Sequence, residues 1–491
     1  MRLSVLSLDI KVPFVLATLA AAAGIACSGG GANVGSSRDA LSAAQCAAAQ
    51  PWAANVAYKA GDAVTFGGNV YECIQGHTSL SNWTPDSTPA LWAPASCASG
   101  GPGGSIGGGG GSSGGSTSCG PTGSSGGGSS SGGSSSGGSS SGSMSGSSGG
   151  TPSGGGTGTA PAGLVYSAYK DTSINMNWNT NVISTSVSGS ATPLATDLTG
   201  AGGKTITLAF ATGECGSENW GGVQGAAMAS ANVSLLSGAG VDYILSTGGA
   251  AGSFTCGSDS GFATFVGRWA SPNLIGVDFD IEAGQSQSVI NDLISRIKTA
   301  HTAFPKLRFS LTLATLANNN GASSAQSLGS SAPDSFNVYG DNVMGAVQSI
   351  LGFSGSASSW PSYVTVDLMT MDYGSPSAGV CVVANGQCQM GESALQAAFN
   401  LHDKWGVPFS NIELTPMIGQ NDAASEQFSL TDADTVANFA IANKLGGVHY
   451  WSYDRDVDCA AGSASPTCNS LGAGAAGTHG FMKRFMADGL K

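Results

Sequence analysis

Apolar and polar positions alternate in short, regular blocks over the C-terminal two thirds of the chain. Strand-like apolar runs occupy residues 163–168, 204–211, 241–246, 274–281, 307–313, 364–371, 412–418 and 447–452. Between them apolar residues recur at helical intervals. Ile290, Leu293, Ile294 and Ile297 stand at i, i+3, i+4 and i+7, one face of an amphipathic helix. A second helix is expected over 431–444, with Thr431 as N-cap, Asp432 and Asp434 in its first turn and Gly446 beyond its end. Eight strand–helix units over residues 162–491 predict an α/β fold, a closed (β/α)8 TIM barrel, for which ~250 residues is typical. No G-x-G-x-x-G follows a strand, which disfavours an open dinucleotide-binding sheet.

The periodicity vanishes over residues 98–161, a glycine- and serine-rich tract with almost no apolar content. Such a stretch cannot bury enough surface to offset its ordering entropy and reads as a flexible linker. Before it, residues 44–97 carry Trp52, Trp83 and Trp92 together with Tyr58 and Tyr71, the aromatic content of a small β module. Residues 1–27 have the layout of an export signal: Arg2 and Lys11, an apolar run over 12–26, then Gly24-Ile25-Ala26-Cys27. That ending resembles the lipobox at which bacterial lipoproteins are lipidated on cysteine; ordinary cleavage after the alanines is the alternative. The expected location is therefore extracellular, with membrane contact only through a lipid at Cys27.

The net charge of −13 gives no basic footprint for nucleic acid or anionic lipid. Of 11 cysteines, setting Cys27 aside leaves an even number for an oxidising compartment. Cys381 with Cys388, Cys459 with Cys468, and Cys215 with Cys256 are the expected pairs, leaving Cys46, Cys73, Cys97 and Cys119 to the N-terminal part. None has the repeated C-x-x-C spacing of a zinc site.

Candidate chemistry concentrates in Gly276-Val277-Asp278-Phe279-Asp280-Ile281-Glu282. Strand alternation puts Asp278, Asp280 and Glu282 on one face and Val277, Phe279 and Ile281 on the other. With the apolar face under the helices, three carboxyls point into a confined interior, where they cannot all ionise and must retain a proton among them. The row ends at the C-terminal end of a barrel strand, where such folds place their chemistry. A carboxylic acid kept protonated near neutrality suits a glycosidase. Taken alone, the same row also suits a hard cation.

The D-x-D-x-E of Asp278, Asp280 and Glu282 resembles the core of glycoside hydrolase family 18, the chitinases and their relatives. Ile275 stands where the fuller pattern has a further aspartate. Ser246-Thr247-Gly248-Gly249 is similar to the family's S-x-G-G, and Met369-Thr370-Met371-Asp372-Tyr373 to its M-x-Y-D, with Met371 in the tyrosine's place. Trp451 falls where the family has a tryptophan floor under the −1 sugar, although a lone tryptophan is more often core. The resemblance implies retaining, substrate-assisted hydrolysis of β-1,4-linked N-acetylglucosamine polymers. In that scheme Glu282 is acid and then base, Asp280 supports the acetamido group, Asp278 shares its proton, Asp372 assists orientation and Tyr373 contacts substrate. No cofactor or metal is implied, and a monomer is expected. An endo-β-N-acetylglucosaminidase, or a non-catalytic chitin-binding adhesin or lectin, stays open as an alternative.

The N-terminal segment resembles carbohydrate-binding modules of families 5 and 12 through Trp52, Tyr58-Lys59-Ala60-Gly61-Asp62, Val70-Tyr71-Glu72-Cys73 and Trp83-Thr84-Pro85…Trp92. Trp83, Trp52 and Trp92 are the candidates for stacking on pyranose rings, and some aromatics must be core. Chitin and chito-oligosaccharides are the partners so implied.

Overall fold

A computed structural model describes residues 46, 49–53, 56–59, 61–73, 77–79, 84–85, 92–95, 157–160, 162–282 and 284–491. The expected export signal, nearly all of the expected linker, Trp83, Cys97 and Cys119 lie outside them. The chain divides into two compact units, 1–118 and 119–491.

In the first unit, Gln50–Pro51, Ala63–Phe66, Asn69–Cys73 and Trp92–Pro94 form one sheet, and Ala57–Tyr58 pairs with His77–Thr78. The hairpin between Ala63–Phe66 and Asn69–Cys73 turns on Gly67 and Gly68, at φ 57° and 83°, the left-handed pair that a two-residue turn requires. Val64, Tyr71, Cys73 and Trp92 are its buried core, with Trp52, Tyr58 and Phe66 packed against them. So small a core leaves the unit dependent on cross-links, and Cys46 is disulfide-bonded.

The second unit is a closed barrel. Its strands are β1 Val165–Asp171, β2 Thr205–Glu214, β3 Asp242–Gly248, β4 Leu274–Asp280, β5 Arg308–Ala314, β6 Val364–Met369, β7 Ile412–Thr415 and β8 Gly447–Trp451. Each pairs in parallel with the next, and β8 closes on β1, which also pairs with β2. One helix follows each strand: α1 Leu194–Gly200, α2 Gly225–Gly238, α3 Asp259–Arg268, α4 Gln287–Ala303, α5 Val338–Ala346, α6 Met390–Trp405, α7 Leu430–Asn443 and α8 Gly480–Ala487. All eight expected strands form, with ends displaced by a few residues. Ile290, Leu293, Ile294 and Ile297 face the core from α4 as their spacing requires.

The ends of α7 differ from expectation. Ser429, not Thr431, caps it: the Ser429 hydroxyl accepts from Asp432 N–H, while Asp432 accepts from Ser429 N–H in return. This reciprocal capping box satisfies two otherwise orphaned donors, which Thr431 inside the first turn cannot do. At the other end Lys444, at φ 55°, takes the left-handed position ahead of Gly446.

Helix-facing residues of the strands build the main core. On β4, Val277 and Phe279 are fully buried, and Phe279 stacks on Phe262 of α3 at 6.0 Å. The barrel interior is unusually polar, so its stability requires that each inward group be bonded. All three expected disulfides of this unit are present: Cys215–Cys256, Cys381–Cys388 and Cys459–Cys468. They tie down loops that leave β2, β3, β6 and β8 at their C-terminal ends, the face that carries the site.

Candidate active site

Asp278 and Asp280 project into the barrel from β4. Asp278 accepts four hydroxyl hydrogen bonds: Ser246 on β3 at 2.6 Å, Ser310 and Thr312 on β5 each at 2.7 Å, and Tyr169 on β1 at 3.1 Å. These match the four acceptor sites of a carboxylate. One oxygen of Asp280, Oδ1, is by contrast buried and bonds no other described residue. Burial, with the charges of Glu282, Asp278 and Asp367, pushes the Asp280 carboxyl well above its usual range.

Strand β4 ends at Asp280, so Glu282 stands just beyond it at the mouth rather than on the strand itself. Burial pushes its pKa up to about 7; the Asp372 charge adds to this, and a hydrogen bond from Ala250 N–H opposes it. Ala250 follows the Ser246-Thr247-Gly248-Gly249 turn, whose geometry demands glycine. Gly248 is at φ 90°, and a Cβ there would lie 2.2 Å from the carbonyl oxygen of Asp280. The turn therefore packs directly on the end of the acidic strand and delivers a donor to Glu282.

Asp372 follows β6 at φ 52°, exposed, with Oδ1 accepting from Ala423 N–H at 2.9 Å. Both carboxylate oxygens of buried Glu426 clamp the next two residues, accepting from Tyr373 N–H at 3.1 Å and Gly374 N–H at 2.7 Å. Tyr373 is itself buried beside Glu426, and its hydroxyl bonds no other described residue. The hydroxyls of Thr370 and Ser452, just past β6 and β8, are orphaned in the same way. Together with Asp280 Oδ1 they leave, at this end of the barrel, four buried polar atoms that no other described residue engages.

Trp451 at the end of β8 is half-buried. Its ring lies 5.7 Å from Phe210 of β2 at an interplanar angle of 22°, and 6.3 Å from Tyr169. Phe210 and Tyr169 thus pack against Trp451, and neither stood out in the sequence. Trp178, in the loop after β1, is 58% exposed and is a further ring on this face.

Beneath the site lies a second polar layer. Asp367 of β6 accepts from Thr415 at 2.7 Å and lies 3.0 Å from the same Tyr169 hydroxyl that faces Asp278, and burial raises its pKa. His449 of β8, its pKa lowered by burial, bonds Ser167 at 2.6 Å and Glu413 at 3.1 Å. Asp367, Glu413 and His449 lie close enough to hold a cation, but the Arg308 guanidinium already pairs with Glu413. An ion pair therefore neutralises the charge that a metal would meet. Arg308 fits because Gly276 has no side chain; a Cβ there would lie 2.7 Å from Arg308 Cγ.

Of the module's candidates, Trp92 is fully buried at the centre of the small core, so it cannot stack on a sugar; this corrects the expectation for that residue. Trp52 is half-buried against Phe66, edge to face at 5.5 Å. Trp83 lies outside the described residues.

Residues 51–93 match the model of carbohydrate-binding module family 5/12. Chitinase Chi52 of Paenibacillus xylanexedens is 52% identical over 54 residues, 11% of this chain and 10% of that protein. The probable bifunctional chitinase/lysozyme of Escherichia coli K12 is 38% identical over 103 residues, 19% of this chain and 11% of that protein. The chain thus spans about a tenth of the length of these curated relatives. Among solved structures, the catalytic domain of a hyperthermophilic chitinase from Pyrococcus furiosus superposes with a TM-score of 0.49 at 23% identity, covering 67% of this chain and 96% of that one. By sequence, then, residues 51–93 are similar to carbohydrate-binding module family 5/12.

Proposed function

We propose that the chain is a chitinase that hydrolyses β-1,4-linked N-acetylglucosamine polymers with retention, using the substrate's own acetamido group as nucleophile. The observation that carries this reading is Glu282, an acid at the barrel mouth whose pKa lies at about 7 above two deeper inward aspartates. Protonated, Glu282 gives its proton to the glycosidic oxygen as the C1–O bond breaks and the electron pair leaves with that oxygen. The acetamido oxygen bonds C1 and forms an oxazolinium ion, the substrate-assisted exception to the two-carboxylate scheme. Asp280, with Oδ1 open, accepts the acetamido N–H and stabilises the developing positive charge. Glu282, now a carboxylate, takes a proton from the water that reopens the ring. Trp451, backed by Phe210, is the floor for the reacting sugar, and Trp178 extends the apolar path. The relatives named as chitinases and the matched binding module support the same substrate. With it goes export, and anchoring through a lipid at Cys27.

Mass analysis of products from colloidal chitin and from soluble chito-oligosaccharides tests this reading; intact substrate in both would sink it. Deleting residues 28–158 is expected to slow attack on colloidal chitin and to spare soluble oligomers, because a tethered module raises local concentration at a surface without shaping the site. Equal losses on both would place the module within the catalytic fold.

The pH dependence follows from the same acid. Glu282 must enter each cycle protonated, so kcat/KM on soluble oligomers is expected to fall as pH rises through about 7, about tenfold per pH unit beyond. Activity that stays level to pH 9 would remove Glu282 as the general acid.

A further inference from the structure

Below Asp278 the inward side of β4 is apolar. A register shift beside Tyr243 and Ile244 leaves Ile275 with Val165 and Ile244 in a small buried cluster of its own. The next acid comes from elsewhere, as Asp367 on β6. Tyr169 Oη lies 3.1 Å from Asp278 Oδ2 and 3.0 Å from Asp367 Oδ2. A phenol has one proton, so it can serve only one of these carboxylates at a time. Thr312 Oγ1 repeats the arrangement, 2.7 Å from Asp278 Oδ1 and 3.4 Å from Asp367 Oδ2.

We propose that Asp367 is a positioning residue for the hydrolysis, which through the shared Tyr169 hydroxyl sets the proton balance of Asp278 and Asp280. This rests on the reading of the site as a substrate-assisted glycosidase. While Asp278 is a carboxylate, Tyr169 donates to it. When Asp280 becomes anionic to support the oxazolinium, its O–H bond breaks and an O–H bond forms on Asp278. Asp278 then needs one hydrogen bond fewer, and Tyr169 turns its proton to Asp367. No proton leaves the interior. Asp367 is thus the acceptor that lets Asp278 take the proton without stranding a buried hydroxyl.

The groups around Asp367 are suited to this. Thr415 on β7 donates to it at 2.7 Å, and Tyr169 and Thr312 face it from β1 and β5. Asp278 faces it from β4, His449 from β8 and Arg308 from β5, while Arg308 also pairs with Glu413 of β7. Burial keeps His449 towards its neutral form and holds the Asp367 carboxyl above its usual range.

The test is a carboxyl ¹³C NMR titration of the full-length protein and of Asp367→Asn, which keeps the side chain's shape and removes its charge. Loss of an anionic neighbour is expected to lower the titration midpoint of Asp280 by half a pH unit or more. kcat on soluble oligomers should fall about tenfold while KM stays within about twofold, since Asp367 does not touch substrate. A folded Asp367→Asn with unchanged midpoints and kcat overturns the proposal. Should that variant not fold, Tyr169→Phe keeps both acids and removes the shared proton. It should likewise lower the Asp280 midpoint, because Asp278 then competes better for the proton; an unchanged midpoint again overturns the proposal. The titration needs no turnover. A wild-type protein inactive on chitin would defeat the functional reading alone, whereas unchanged midpoints in an active enzyme would defeat only the role of Asp367.

Discussion

Glu282→Gln is expected to cut kcat on soluble chito-oligosaccharides by about 10³-fold or more while leaving their binding within a few fold. A general acid or base commonly contributes about 10²–10⁴ in rate, and here one residue serves in both steps. The amide keeps the size of the side chain and can still accept from Ala250 N–H, but it has no proton to give the leaving oxygen. Ordinary turnover by this variant would sink the assignment. Stability supplies a second readout. The native pKa of about 7 lies above that of an exposed glutamate, so the stabilising share of this group is full at low pH and is lost as pH rises through about 7. Neutral glutamine removes that penalty. The variant should therefore gain more stability at pH 8 than at pH 5, by about 1–2 kcal/mol once water at the mouth is allowed for, read as a larger rise in thermal midpoint at pH 8.

The barrel was legible because its signals are local. Eight apolar runs with helical patterns between them need no knowledge of what they pack against, and side-chain alternation alone turns Asp278 and Asp280 inward. What failed were judgements that depend on neighbours in space. Thr431 and Ser429 are both good capping residues, and Ser429 prevails because Asp432 stands where the reciprocal bond can form. Trp92 looks like a sugar platform by composition, yet the sheet pairs it with Cys73 and buries it. Tyr169, Phe210 and Asp367 are single polar or aromatic residues in otherwise ordinary strand runs. They acquire meaning only when the closed barrel brings Tyr169 against Asp278 and Asp367, and Phe210 against Trp451. An inward-parity Asp inside a buried run was a usable signal for Asp367, since an unpaired acid there needs a partner.

Asp280→Asn is expected to lower kcat by about 10²–10³-fold, and a fully deacetylated chain should resist the wild-type enzyme to a similar or greater degree. Both results follow from the same demand. Attack by the acetamido oxygen leaves positive charge on the oxazolinium, and a buried anion beside it is worth more than one in water. Asp280 is buried with one oxygen unused, so it can meet the acetamido N–H without first giving up a bond. Asparagine keeps a carbonyl acceptor and loses the charge; a hundredfold loss corresponds to about 2.7 kcal/mol of transition-state stabilisation. The deacetylated polymer removes the nucleophile instead of its support. If an enzyme carboxylate attacked the sugar, that polymer would still be cleaved and Asp280→Asn would act through the nucleophile alone. The discriminating comparison is thus kcat for both proteins on acetylated and deacetylated oligomers of one length. Substrate-assisted attack requires that Asp280→Asn matter chiefly where the acetamido group is present, so that the two losses do not multiply. Multiplicative losses, or ready cleavage of the deacetylated chain, would assign the nucleophile to the protein.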